Sequence, residues 1–126
     1  MYLTPRDMAR FGLLYLNKGN YGGRQVVPSS WVEETTKPLS SVSLASAVIE
    51  RFQYASHWWT GQTRGHGQHP LFMAHGHGGQ NIVVVPALNA VVVTTTNPDL
   101  SFEDSWTQSV RTFDFIVLDI LSAVLD

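Results

Sequence analysis

Between Phe72 and Val93 the chain is apolar, then glycine-rich, then apolar twice more, and this pattern constrains the fold more than any other feature. Phe72-Met73-Ala74 leads into His75-Gly76-His77-Gly78-Gly79-Gln80, and Ile82-Val83-Val84-Val85 follows almost at once. Pro86-Ala87-Leu88-Asn89 makes a tight hairpin to Val91-Val92-Val93. The arrangement predicts three strands, about 71–76, 80–86 and 90–96, in a β-meander. Both valine runs are continuous rather than alternating, as expected of strands covered on two faces.

Helices flank the meander. Thr4-Pro5-Arg6-Asp7 reads as a helix start: a capping hydroxyl, a proline at the first position and an acid in the first turn. That helix carries Met8, Phe11, Leu14, Tyr15 and Leu16 and stops near Gly19. Asn20 to Arg24 is a turn, and Gln25-Val26-Val27 is extended. Ser30 and Glu33 have capping-box spacing in a second helix that ends before Pro38. Residues 39 to 53 are Ser-rich and weakly patterned, and read as a loop or a poorly ordered helix. Tyr54 to Trp59 reads as an aromatic strand, and Gly61 to Pro70 as a loop. From about Glu103 to Leu125 the chain is helical, with Val110, Phe113, Val117, Ile120, Leu121 and Val124 at helical spacing. The fold class is therefore α+β: an antiparallel sheet of about three to four strands with helices packed on it, in a single domain over 1–126.

One core is what 126 residues can build. A hydrophobic content of 44% marks a globular chain, and a charged content of 14% is low against the usual quarter. Part of such a surface is expected to be covered. The net charge of −2 leaves no footprint for nucleic acid or an anionic membrane. No apolar run reaches membrane-spanning length, and no signal peptide is visible. Cysteine is absent, which excludes disulfides and a cysteine nucleophile and leaves the redox compartment open.

The chemistry concentrates in the glycine-rich turn. Glycines there let the backbone approach a ligand closely, and converging N–H groups beside a strand end can hold a developing oxyanion. His75 and His77, two apart in a strand, would share a face. With His57, His66 and His69 they could make a zinc site, but no carboxylate stands at a usable spacing, so no metal or other cofactor is expected. A nucleophile is not in sight. The only lysines are Lys18 and Lys37, preceded at three residues by Tyr15 and Glu34, so Ser-x-x-Lys is absent, as is Gly-x-Ser-x-Gly. Tyr15-Leu16-Asn17 matches a Tyr-x-Asn pattern but reads as helix packing and capping. Trp58 and Trp59 either line a substrate pocket or divide between core and loop cover.

Several segments together resemble one family. Leu3-Thr4-Pro5-Arg6-Asp7-Met8-Ala9-Arg10-Phe11-Gly12, Leu14-Tyr15-Leu16-Asn17-Lys18-Gly19 and Gly23-Arg24-Gln25-Val26-Val27-Pro28-Ser29-Ser30-Trp31-Val32 are similar to the β-lactamase-related serine hydrolases. Those comprise class C β-lactamases, penicillin-binding proteins, esterases and 6-aminohexanoate-dimer hydrolases. Ala74 to Gln80, Val83 to Pro86 and Val91 to Asn97 fit the same family further on. The resemblance is to the C-terminal part of the family's domain. The Ser-x-x-Lys and Tyr-x-Asn/Ser motifs lie upstream of it, and the third motif, Lys-Thr-Gly or His-x-Gly on a strand, remains.

Aligned without a gap, Ala74-His75-Gly76 falls on the third motif. Gly76 is then its glycine, His77 supplies an oxyanion N–H, and Ala74 replaces the family's cation. A shifted register would use His77-Gly78-Gly79. The dimer hydrolases similarly carry Gly-x-x-Gly-Gln, matching Gly76, Gly79 and Gln80. The resemblance implies His75, Gly76 and His77 as catalytic and Gly78, Gly79 and Gln80 as substrate-binding, and the aromatic pair Trp58 and Trp59 joins them as substrate-binding candidates on its own chemistry. It implies a partial serine-hydrolase fold, inactive alone, whose small-molecule substrate binds only in the complete enzyme. The expected partners are the missing N-terminal portion or a second copy, paired along the edge strand 90–96 or exchanging the C-terminal helix. The alternative is a non-enzymatic module that self-associates.

Overall fold

The computed structural model describes residues 3–39, 43–44, 46–64, 67–97 and 99–125. The first helix, α1 (Pro5–Leu16), is capped by the Thr4 hydroxyl, which accepts from the Asp7 N–H. The same hydroxyl donates to the Asp7 carboxylate, and with Arg10 it holds that carboxyl below its usual range. A two-stranded ribbon, β1 (Asn20–Tyr21) with β2 (Arg24–Gln25), leads to α2 (Ser29–Thr35). The capping box expected at Ser30 and Glu33 does not form, because the helix starts two residues earlier, with Pro28 at the N-cap.

Six strands follow in sequence order as one antiparallel sheet: β3 (Ser43–Leu44), β4 (Ile49–Tyr54), β5 (Trp59–Thr63), β6 (Pro70–Gly76), β7 (Gln80–Val85) and β8 (Ala90–Thr94). The chain closes with α3 (Phe102–Asp114), a π-helical stretch Phe115–Leu121 and α4 (Ser122–Leu125). The fold is α+β, and no described helix is long and apolar enough to cross a membrane.

Helices cover both faces of the sheet, which is why the runs 82–85 and 91–93 need no alternation. On one face Leu71, Met73, Val83 and Val85 pack with Val48, Ile49 and Phe52 against Ile116, Val117 and Leu121. On the other, Tyr15 and Val32 pack with Ala55, Trp58 and Phe72. α1 lies against β7 and β8. Its Gly12 makes that approach possible: a Cβ there would stand 2.5 Å from Val91 Cγ1 and 2.9 Å from Ile82 Cγ2.

Three expectations need correction. The stretch 39–53 is not all loop or helix, since Ile49–Tyr54 is a strand with Ile49 and Phe52 buried. Ile49 and Phe52, three apart, both point inward, because a bulge shifts the register between Glu50 and Gln53 and Arg51 takes a left-handed φ of 52°. Part of the polar stretch 61–70 is also strand. Gly61 lies across from the bulge, where a Cβ would come within 2.6 Å of Ile49 Cγ2. Finally, 54–59 is not one strand but a corner between β4 and β5, closed by Ala55 N–H donating to the Trp58 carbonyl at 2.7 Å with His57 at φ 66°.

The C-terminal segment is helical, and Phe113, Val117 and Leu121 of the expected face do turn inward, but the two ends of that face do not. The π stretch adds a residue per turn, so Ile116, Val117 and Leu121 are buried while Val110 and Val124 are exposed.

Candidate functional site

β6 outruns its neighbour. Its last pair with β5 is Trp59↔Met73, and Ala74, His75 and Gly76 pair only with Ile82, Asn81 and Gln80 of β7. Beyond Met73, β6 therefore carries alternate backbone groups on the β5 side that β5 does not use. Beside them opens a cleft of about 300 Å³. His75, Gly76 and Gln80 line it from the β6–β7 end. Tyr54, His57 and Trp59 line it from the β4–β5 corner, and Met8, Ala74 and Ile82 add apolar wall.

The turn from β6 to β7 is a single 3-10 turn, His77–Gly79. Gly78 and Gly79 take φ values of 72° and 97°, which a side chain would strain. His75 and His77 do not share a strand face, because the strand ends at Gly76 and His77 begins the turn, where it is exposed.

Side chains hold the turn from outside. The Gly78 carbonyl accepts from Thr96 Oγ1 and Gln108 Nε2, both at 2.7 Å. The Gly79 carbonyl accepts from Thr94 Oγ1 at 2.8 Å and Asn81 Nδ2 at 3.1 Å. Each peptide N–H points opposite its carbonyl across a planar trans unit. The Gly79 and Gln80 N–H groups therefore face away from Thr94 and Thr96. Gln80 itself is engaged: Nε2 donates to the Thr96 carbonyl at 2.8 Å, and Oε1 accepts from the Thr96 N–H at 3.2 Å.

The fully buried Asn81 fixes the state of His75. Gly79 O can only accept, so the Asn81 atom facing it is Nδ2, which also donates to Thr94 Oγ1 at 3.0 Å. Oδ1 is then the atom 2.7 Å from His75 Nδ1. Nδ1 accordingly carries a proton. The ring lies against Phe113, with centroids 4.8 Å apart.

The two tryptophans part. Trp58 is 4% exposed and packs against Tyr15 and Phe72, away from the cleft. Trp59 lines the cleft, pairing edge-on with Tyr54 at 4.8 Å and packing on Phe52. Among the described residues no three His, Cys, Asp or Glu side chains gather as metal ligands, and His66 lies outside those residues. Sequence reasoning named His57 only as a possible zinc ligand and missed Tyr54 and Asn81. Only Asn81 carried a signal, as a polar residue beside Gln80 at the head of an apolar run.

No family model matches the chain. The chain is 32% identical over 103 residues to the 6-aminohexanoate-dimer hydrolase of Paenarthrobacter ureafaciens. The match takes in 76% of this chain and 25% of that enzyme, so the chain spans about a quarter of its relative's length. By that similarity, over most of its own residues, the chain is related to a hydrolase.

Proposed function

We propose that the chain is the third-motif wall of a β-lactamase-related serine hydrolase that cleaves amide, ester or lactam bonds. The observation that carries this reading is the position of Ala74, His75 and Gly76, paired on one side only beside a cleft, in a chain similar to a hydrolase. In this reading a substrate backbone lies along the free side of β6. A serine from a segment outside these 126 residues attacks the carbonyl, and the His77 N–H supports the oxyanion. Hydrolysis of the acyl-enzyme completes the cycle. The chain alone is expected to form no covalent adduct with fluorophosphonate or β-lactam probes, as read by intact mass. Stoichiometric labelling of any serine here would overturn the assignment. An in-frame Ser-x-x-Lys in the gene upstream of Met1 would support it.

A second reading, a module that self-associates without catalysis, has its own support. Among the described residues β8 ends the sheet with one side unpaired, and Phe102, Trp106 and Val110 form an exposed stripe along α3 at 79%, 65% and 44% exposure. An unpaired edge is a template for another strand. Light scattering is expected to give the mass of a symmetric dimer at micromolar concentration. The mass of one chain across that range would remove this reading.

A further inference from the structure

We infer that the cavity between α3 and the start of β4 binds a small neutral phenol, its ring among aromatic side chains and its hydroxyl on Ser109. The site is separate from the cleft at the end of β6. Among the described residues only His75 lines both.

Size and lining set the body of the guest. The cavity measures about 160 Å³. An apolar cavity of roughly 150 Å³ suits a benzene-sized molecule. Pockets for larger ligands begin at roughly 300 Å³, so the guest here is a single ring. Val48, Phe52, Val110 and Phe113 supply apolar wall. Phe52 and Phe113 stand edge-on, with 84° between their planes, and a third ring can stack on either. Trp106 and Val110 line the cavity while still reaching solvent, which leaves a way in from the surface of α3.

One polar group on this wall is free. Ser105 and Thr112 each donate to the carbonyl four residues back in α3, Ser101 and Gln108, both at 2.7 Å. Ser109 lies between them, is 7% exposed, and makes no such bond among the described residues. Its hydroxyl opens on the cavity rather than being sealed without a partner. The other polar atoms of the wall are engaged or of the wrong kind for an anion. Ser46 Oγ accepts from the Val48 and Ile49 N–H groups at 3.3 and 3.1 Å, and His75 Nδ1 donates to Asn81. Asp114 adds a carboxylate, and no described Lys or Arg lines the cavity to hold a negative guest. An apolar ring that carries one neutral hydroxyl therefore matches the wall, because it gives Ser109 the partner that a buried hydroxyl requires.

The test is an NMR titration of the chain with phenol and with toluene, at about pH 7, where phenol is neutral. The two probes share a shape and differ in the hydroxyl. Phenol is expected to shift the amides of residues 106–114 and the indole N–H of Trp106 along a saturable curve. Ser109→Ala should weaken phenol about threefold to tenfold, the net worth of one hydrogen bond, and leave toluene unchanged. Ser109→Cys, with a weaker donor of similar size, should fall between the two. The spectrum of each variant reports whether it is folded. No saturable response of 106–114 to phenol overturns the site. Undiminished phenol binding in both variants, or a loss shared equally by toluene, overturns the role of the Ser109 hydroxyl and with it the choice of a phenol.

Discussion

Phe52→Ala is expected to lower the free energy of unfolding by about 3–5 kcal/mol, the usual cost of removing a buried aromatic ring. Phe52 is 3% exposed and sits between Trp59, at 5.1 Å, and Phe113, at 6.1 Å. It thus joins β4 and β5 to the C-terminal helix. The loss is a large part of the roughly 5–15 kcal/mol that holds a domain together. Urea unfolding followed by tryptophan fluorescence gives the midpoint directly. A change under about 1 kcal/mol would mean that β4 is not in the core, against the usual scale for such truncations.

Asn81→Leu is expected to cost about 2–4 kcal/mol, because it removes a fully buried amide from the centre of a hydrogen-bond network. Leucine can neither accept from His75 nor donate to Gly79 and Thr94, and of these partners Gly79 is buried while His75 and Thr94 are half-buried. The reverse truncation, His75→Phe, leaves the Asn81 Oδ1 without its donor and should cost about 1–3 kcal/mol. The double variant should cost less than the sum, since each single change already breaks the shared bond. Strict additivity in the unfolding series would show that the two side chains do not interact. Nitrogen shifts of the His75 ring offer an independent check. They should report a proton fixed on Nδ1 in the native chain, and lose that preference in Asn81→Leu.

The parts of the site differ in how far they could be read from sequence, for physical reasons. The turn Gly76–Gln80 was legible because glycine marks a backbone that must take positive φ, and Gly78 and Gly79 do so. The opposite side of the cleft was not legible. His57 reaches it only because the chain reverses at Ala55–Trp58, and an aromatic-rich run gives no sign of where a strand breaks. Nor could alternation say which tryptophan was core. Trp58 lies in the corner, outside both strands, and its burial follows from α1 arriving with Tyr15.

By itself the sequence determined the elements whose signal is local. The α1 start follows from a hydroxyl, a proline and an acid within four residues. The meander of β6, β7 and β8 follows from apolar runs long enough to be buried on both faces and connections short enough to force antiparallel neighbours. Tertiary structure alone decided the rest. β4 carries its two core residues three apart, a period that belongs to no regular strand until a bulge absorbs the extra residue, and Gly61 on β5 makes room for it. The C-terminal helix chose its buried face through a π turn that follows the sheet beneath it rather than its own 3.6-residue period. Asn81 became the anchor of His75 because β8 placed Thr94 beside it, thirteen residues along the chain. Local propensity sets which segments are helix and strand, but only packing between segments distant in sequence decides which side chains meet.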